Sequence, residues 1–228
     1  YKFKQTTYAR KQLLYDCNFV GYEDAVKFSG YSDIMNDNFF GTTVMDFCHT
    51  YQCTNAIHFE NVFANLFTIN NSLFHGGGLK FSNNAGGFPI IRNTHFEGAK
   101  KSAILIESST HIKLVLDGVS AESCGTETGH GFIRSTVNNT NLELYISNKN
   151  YPFAHMPTMY NLPRGTIVHS TVPIKVAGEG IIIQTPETII PVNSEVNNFS
   201  LVLTRPKKYQ SYAGKKVFKN LTGHISNS

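Results

Sequence analysis

Polar and ionisable side chains recur at matching positions of four short alternating segments. The segments are AVKF (25–28), AIHF (56–59), GLKF (78–81) and AILI (103–106). Their third residues, and the residues two further on, form two series: Lys27, His58, Lys80 and Leu105, then Ser29, Glu60, Ser82 and Glu107. Because successive side chains of a strand point to opposite faces, both series point away from the core that the flanking apolar residues would form. If the segments are neighbouring strands about 4.8 Å apart, His58, Glu60, Lys80 and Ser82 form one polar patch, with Asp46 and His49 on the preceding strand or its loop.

One reaction that suits this patch is elimination on a polymer of uronic acids. A lyase needs a cation that neutralises the sugar carboxylate and a base that removes the adjacent proton. Lys80 or Lys27 could supply the cation, and His58 or a tyrosine could be the base.

Hydrolysis of a glycosidic bond is the other reaction, and it needs two carboxyl groups about 5 to 9 Å apart. Asp46 with Glu60, or Glu60 with Glu107, could form such a pair. The sequence leaves lyase, hydrolase and binding alone as alternatives. The predicted catalytic residues are Glu60, His58, Lys80 and Asp46, and the predicted substrate-binding residues are Lys27, Ser82, Glu107 and His49. No Ser-His-Asp arrangement is recognisable among the 9 scattered histidines.

The strands that would position these residues alternate with a repeated corner motif, Asp/Asn-x-x-Phe-x-Gly. Its copies begin at Asp16, Asn36, Asn71 and Asn93, at spacings of 20, 35 and 22 residues. Asn, Asp and Gly tolerate the left-handed backbone of tight corners. Short strands and tight corners with a period near 22 predict a right-handed parallel β-helix that adds one repeat per turn. Leucine-rich repeats share the period but need a different leucine spacing, and a β-sandwich would not predict four copies of one corner.

Beyond Cys124 the repeat fades, and residues 142–147 form one more predicted strand. Residues 150–164 contain three prolines, each of which removes a backbone donor, so we predict a connector there. Residues 165–228 hold further apolar strands and predict a smaller C-terminal β module for trimerisation or glycan binding. The predicted fold class is therefore all-β, with a parallel β-helix over residues 1–149 followed by this module.

Composition limits the class of protein. Hydrophobic residues make up 41% of the 228 residues and charged residues only 16%, which is low for a helical protein. The sequence lacks an apolar run of about 20 residues, so we expect no membrane insertion. Basic residues are not densely interleaved with aromatic ones, which argues against a nucleic-acid partner. The first residues contain neither an initiator Met nor an apolar signal core, so we expect a chain that begins inside its fold.

The 4 cysteines lack the paired spacing of a zinc site. No aspartate cluster of the calcium-binding kind is present either. We therefore expect free, mostly buried thiols and neither a metal nor another cofactor.

Residues 41–72, GTTVMDFCHTYQCTNAIHFENVFANLFTINNS, resemble a turn of the right-handed β-helix in bacteriophage tailspikes and related pectate-lyase-like proteins. The features that carry the resemblance are Cys48, Cys53 and the run Ala56-Ile57-His58-Phe59. The resemblance covers about residues 12–125 and is one of pattern, so no catalytic residue transfers with it.

The resemblance implies a virion tail protein outside the cell, a homotrimer that binds and depolymerises a bacterial surface polysaccharide such as capsule or lipopolysaccharide. Other virion tail proteins would be partners through an N-terminal part that precedes this chain. A non-catalytic trimeric adhesion module is the alternative. A secreted cellular carbohydrate-active enzyme is a third interpretation.

Overall fold

A computed structural model describes the chain most completely between residues 9 and 170. The described residues are 2–4, 9–30, 39–137, 141–147, 158–160, 162–163, 165–170, 175–176, 182–184, 189–190, 200–201 and 217–218. Every regular element in these ranges is a β-strand. No helix long and apolar enough to cross a membrane is found in them.

The strands follow one another in short steps along the chain. In chain order they are β1 (Lys2–Lys4), β2 (Ala9–Tyr15), β3 (Asn18–Val20), β4 (Asp24–Ser29), β5 (Phe39–Asp46), β6 (His49–Tyr51), β7 (Asn55–Glu60), β8 (Phe63–Ala64), β9 (Phe67–Asn70), β10 (Leu73–His75), β11 (Leu79–Asn83), β12 (Gly86–Gly87), β13 (Ile90–Arg92), β14 (His95–Glu97), β15 (Ile104–Ser108), β16 (Ile112–Asp117), β17 (Ser120–Glu122), β18 (Ile133–Ser135), β19 (Leu142–Ser147), β20 (Thr158–Tyr160), β21 (Ile167–Ser170), β22 (Lys175–Val176), β23 (Ile182–Gln184), β24 (Ile189–Ile190), β25 (Ser200–Leu201) and β26 (Val217–Phe218).

Parallel pairing sorts these strands into three large sheets. Sheet A has the order β1-β4-β7-β11-β15-β18-β20-β22, and sheet C has the order β17-β14-β10-β6-β3. Sheet B has the order β12-β8-β5-β9-β13-β16-β19-β21-β23-β25, with β2 beside β5, and β24 pairs with β26 separately. From β4 to β17 the chain runs from sheet A to B to C and back to A, so each of these circuits adds to all three sheets. From β18 to β23 the described strands alternate between sheets A and B. The all-β class with stacked parallel sheets is confirmed and is consistent with a parallel β-helix; its right-handed sense stays a prediction.

Two corners of each circuit use the left-handed backbone. Asn71, between sheets B and C, has φ of 49°, and Gly76, between sheets C and A, has φ of 99°. The same two positions are left-handed in the first and fourth copies of the motif, at Asp16 and Gly21 and at Asn93 and Gly98. These three copies of the corner motif are therefore confirmed, for the conformational reason that predicted them.

The predicted copy of the motif at residues 36–41 is wrong. Gly41 lies inside β5, and Asn36 lies outside the described residues. In that turn the corner positions are taken by Phe47 and Gln52, with φ of 52° and 55°. Neither residue type favours a left-handed backbone, so the pattern could not identify this corner.

The glycine triplet 76–78 is a corner where backbones of neighbouring turns approach closely. A Cβ atom on Gly77 would lie 1.9 Å from the carbonyl oxygen of Thr54, and one on Gly78 would lie 2.0 Å from that of Ala103. No side chain fits at either position. The two glycines therefore set how closely β11 lies against its neighbours β7 and β15.

The core inside the coil is a ladder of aromatic rings. Phe28, Phe59 and Phe81 follow one another on β4, β7 and β11, with ring centroids 5.5 and 4.9 Å apart. Phe67 of sheet B packs edge-on against Phe59 at 4.9 Å. All four are fully buried. This packing fixes which side chains of sheet A point outward.

Strand pairing continues past the predicted connector. β21 pairs in register with β19, so that Val168 lies beside Leu144, and β23 pairs in turn with β21. The division at residues 150–164 between a coil and a separate module stays a prediction.

Candidate functional site

The two predicted series of polar side chains lie in register on the outer face of sheet A. Lys27 lies beside His58 and His58 beside Lys80, forming the first row. The second row contains Glu60, Ser82 and Glu107, again on consecutive strands. We call these six residues the sheet-A face. All six lie in register on the sheet where alternation predicts them.

Asp46 and His49 do not belong to this face. Asp46 is the last residue of β5 in sheet B, and its carboxylate accepts a hydrogen bond of 3.0 Å from the amide of Asn71. His49 begins β6 in sheet C and is exposed. The expectation that these residues join the patch is wrong, because two corners of the coil turn them onto other sheets. A carboxylate pair formed by Asp46 and Glu60 is thereby excluded.

Ion pairs cross from the first row to the second, each reaching the following turn. Lys27 Nζ lies 3.0 Å from Glu60 Oε2, and Lys80 Nζ lies 3.1 Å from Glu107 Oε2. All four side chains keep part of their surface exposed. Each predicted catalytic or binding carboxylate of the face is therefore neutralised by a lysine of the preceding turn.

Between these ion pairs lies a chain of hydrogen bonds, the Asp24–His58–Ser82 relay. His58 Nδ1 lies 2.9 Å from Asp24 Oδ2, and His58 Nε2 lies 2.8 Å from the hydroxyl oxygen of Ser82. Since an ionised carboxylate can only accept, Nδ1 of neutral His58 donates to Asp24 and Nε2 accepts from Ser82. His58 and Ser82 are only 7% and 8% exposed. The imidazole is thus fixed in one tautomer beneath the surface.

Asp24 is held as an anion by its neighbours. The amide of Asn55 donates a hydrogen bond of 2.8 Å to Asp24 Oδ1, while His58 occupies the other oxygen. Burial alone would raise the pKa of Asp24, but the hydrogen bonds from His58 and Asn55 and the charge of Lys27 lower the pKa overall.

Sequence reasoning missed Asp24 because strict alternation points it inward with Val26. In the structure Ala25 and Val26 are both fully buried, so alternation breaks at the start of β4 and Asp24 turns outward. The same break occurs where Asn55 precedes Ala56. The recurring start, a polar residue followed by Ala and Val or Ile at 24–26, 55–57 and 102–104, is the signal that could have identified it.

The relay changes which chemistry the face can perform. Both ring nitrogens of His58 are occupied, so the relay ends on the Ser82 hydroxyl, with the imidazole behind it as base. Glu60 and Glu107 lie two strands apart, about 9.6 Å at ordinary strand spacing, with Ser82 between them. Among the described residues, no group of three or more His, Cys, Asp or Glu side chains is arranged to hold a metal ion.

A second group of polar side chains, the Glu143 cluster, lies on the outer face of sheet B. Glu143 Oε1 accepts a hydrogen bond of 2.7 Å from Tyr145 and lies 3.3 Å from His169 Nε2, and Lys113 Nζ is 3.9 Å from Glu143 Oε2. The rings of Tyr145 and His169 stack at 4.1 Å. Burial would raise the pKa of Glu143, but these donors lower it overall, and the bond to Glu143 raises the pKa of Tyr145.

All 4 cysteines are free thiols, as expected, and Cys48 and Cys53 are buried. Their weak hydrogen bonds go to backbone carbonyls, for example from Cys53 to Phe19. They pack inside the coil and take no part in the sheet-A face.

Comparison with protein-family models, with curated proteins and with solved structures gave no match. The functional interpretation therefore depends on the geometry of the chain itself.

Proposed function

We propose that this chain binds an extended bacterial surface polysaccharide along the outer face of sheet A and depolymerises it, in the manner of a bacteriophage tailspike. The observation that carries the proposal is the sheet-A face itself. It presents cations, carboxylates and a hydroxyl in two straight rows, with one position of each row per turn of the coil.

Such rows suit a polymer because they repeat along a straight line. A saccharide chain lying across the strands would meet a new pair of polar groups about every 4.8 Å. The pairs Lys27–Glu60 and Lys80–Glu107 can exchange their mutual contact for hydrogen bonds to hydroxyl or carboxylate groups of the sugar. Partly exposed ion pairs contribute little to stability, so this exchange costs little.

The virion setting and the tail partners are supported by the resemblance of residues 41–72 to a tailspike turn. Exposed apolar side chains on the first turns of the coil also support a homotrimer. These side chains belong to Leu13, Tyr15, Val20, Tyr22, Phe47, Tyr51 and Leu66. Contact with other subunits would remove them from water.

A non-catalytic adhesion module is the second candidate function. The observation that favours it is the pairing of Glu60 with Lys27 and of Glu107 with Lys80. A glycosidase needs one carboxyl group that is free to donate a proton to the leaving group, and each of these two carboxyl groups is engaged by a lysine.

The test uses purified capsular polysaccharides and lipopolysaccharide O-chains, with binding measured by calorimetry and polymer length by size-exclusion chromatography. Lys80→Ala should weaken binding about 10-fold or more, since a hydrogen bond to a charged group contributes about 1.5–3 kcal/mol. Lys113→Ala, which removes an ion-paired lysine from sheet B, is the matched control and should bind normally.

Polymer shortening that Glu60→Gln abolishes while binding persists supports a depolymerase, whereas binding without shortening supports the adhesion module. Absence of binding to every polymer, or equal losses in the two lysine variants, contradicts the proposed function. Sedimentation of the same preparation as a 25.4 kDa monomer contradicts the homotrimer.

A further inference from the structure

We infer that Asp24, His58 and Ser82 form a nucleophilic site for the hydrolysis of carboxylic esters. The substrate class is an O-acylated sugar of the polymer that lies on sheet A, and this assignment of the substrate rests on the proposed function. The site would remove acyl groups from the glycan, a reaction separate from cleavage of its backbone.

The first argument is the order of the hydrogen bonds. A carboxylate at 2.9 Å fixes the imidazole, and the imidazole accepts from a serine hydroxyl at 2.8 Å. Nucleophile, base and orienting acid within hydrogen-bond reach are the arrangement that activates serine for acyl transfer. Its three residues come from β4, β7 and β11, consecutive strands of sheet A, which the aromatic core ladder holds rigidly together.

The second argument comes from other histidine–serine contacts in the chain. His95 Nδ1 lies 2.7 Å from Ser120 Oγ on sheet C, and His130 Nδ1 lies 3.2 Å from Ser102 Oγ. Within the described residues, no carboxylate hydrogen-bonds to His95 or His130. Only the His58 pair therefore has an anion that fixes the tautomer and stabilises an imidazolium, which is what general-base catalysis by histidine requires.

The third argument is electrostatic. Ser82 lies between Glu60 and Glu107 in the second row, and two unpaired carboxylates would repel the oxyanion that forms when the serine attacks. Each is neutralised by a lysine, and those lysines flank His58 in the first row. The carboxylates beside Ser82 are thus each paired with a cation, which reduces their repulsion of the developing oxyanion.

The reaction has two balanced steps. In the first step, Ser82 Oγ attacks the ester carbonyl carbon while the serine proton passes to His58 Nε2. The tetrahedral intermediate then collapses and the bond between the carbonyl carbon and the sugar oxygen breaks. The sugar oxygen takes the proton from His58 and leaves as a hydroxyl group. Water then attacks the acyl-serine, gives one proton to His58, and releases the carboxylic acid as Ser82 regains its proton. The sum is ester plus water giving sugar alcohol plus acid, and no other reactant is needed.

Asp24 acts as a positioning residue. It contacts neither the ester nor the leaving group, and it holds the His58 tautomer whose Nε2 faces Ser82. Asp24→Asn should lower kcat by roughly 10⁴-fold, the effect of the corresponding change in a serine protease, with little change in KM. A role confined to stability would not separate kcat from KM in this way.

The experiment uses the full chain with a fluorophosphonate probe, 4-nitrophenyl acetate, and acetylated xylan, acetylated alginate and O-acetylated capsular polysaccharide. Each polymer is tested beside its alkali-deacetylated form. We expect a probe adduct on Ser82 in the unmodified protein, mapped by mass spectrometry, and acetate release from the esters. Ser82→Ala should lower kcat/KM by at least about 10³-fold, and the matched variant Ser120→Ala should retain full activity.

An absence of the Ser82 adduct together with acetate release equal to that of Ser82→Ala would overturn the nucleophilic site. Because the adduct is mapped on the unmodified chain, this result does not depend on folding of the variant. Hydrolysis of 4-nitrophenyl acetate without acetate release from any polymer would overturn the glycan substrate while leaving the nucleophile. Polymer binding without an adduct overturns the nucleophile and leaves the proposed function standing.

Discussion

The outer faces of sheets A and B carry similar side chains but order them differently. On sheet A, Asp24 contacts His58 and His58 contacts Ser82, so the hydrogen bonds run in one direction and end on a hydroxyl. On sheet B, Tyr145 and His169 both converge on one carboxylate, that of Glu143. On sheet A the chain of hydrogen bonds ends on the hydroxyl oxygen of Ser82, which His58 polarises. On sheet B the donors Tyr145 and His169 are both used within the cluster, on Glu143.

Burial differs in the same sense. The His58 side chain is 9% exposed, whereas in the Glu143 cluster the side chain of His169 is 27% exposed and that of Lys113 is 40% exposed. Water and salt screen the Glu143 cluster, so its ion pairs contribute little. The linear, buried relay is therefore expected to matter more, both for chemistry and for stability, than the convergent, exposed cluster.

The largest expected effect comes from displacing β11, the strand that carries Ser82. Gly77→Ala places a methyl group 1.9 Å from the Thr54 carbonyl oxygen, so the backbone must shift. Overpacking of this kind costs about 1–3 kcal/mol, and we expect the upper end of that range because the contact is with backbone. Chemical denaturation measures the loss, and fluorophosphonate labelling of Ser82 should fall with it.

Gly129→Ala is the control for this change. Gly129, unlike Gly77, has a positive φ, of 81°, and no atom lies within 4 Å of a Cβ built there. It should lose only the roughly 1–2 kcal/mol of a left-handed alanine, with labelling of Ser82 intact. Equal losses in both variants would show that the close approach at Gly77 does not position the relay.

Two residues of the relay, His58 and Asp24, show which side-chain positions the sequence predicts and which it does not. His58 and its strand neighbours were placed correctly because alternation between buried Ile57 and Phe59 leaves a single outward direction. Asp24 was missed because its outward direction depends on a local break in alternation, which only the packing of Ala25 decides. Regular periodicity is encoded in residue type, whereas a one-residue irregularity depends on close contacts between turns.

The corners of the coil likewise divide into those that residue type predicts and those that it does not. Asn71 and Gly76 are of residue types that favour a left-handed backbone, whereas Phe47 and Gln52 adopt it although their types do not favour it. The corners at Phe47 and Gln52 separate β5 from β7, so they place Asp46 and Glu60 on different sheets. The sequence pattern therefore predicts where the strands lie along the chain better than it predicts to which sheet each strand belongs.

A smaller effect is expected from removing each histidine. His58→Ala leaves the half-buried Asp24 carboxylate and the buried Ser82 hydroxyl without this partner, which should cost about 1–3 kcal/mol of unfolding free energy. His169→Ala removes an exposed contact to Glu143 and should cost about 1 kcal/mol or less. Urea denaturation of the two variants compares them directly. A greater loss in His169→Ala would reverse the ranking of the two faces.

The smallest effect separates the two carboxylates by pH. Both have a pKa lowered by folding, so each contributes stability that is complete above its ordinary pKa and is lost as pH falls through the lower, folded value. The ordinary pKa values are 4.5 for Glu143 and 3.8 for Asp24, so on acidification the contribution of Glu143 begins to fall first.

Melting temperatures measured between neutral and strongly acidic pH test this order. Glu143→Gln should flatten the plot of melting temperature against pH from the higher pH, and Asp24→Asn only from the lower pH. Added salt should reduce the Glu143 effect more, since Lys113 and His169 are more exposed than His58. Curves that flatten over the same pH range, with equal sensitivity to salt, would mean that the two faces do not differ in electrostatic environment.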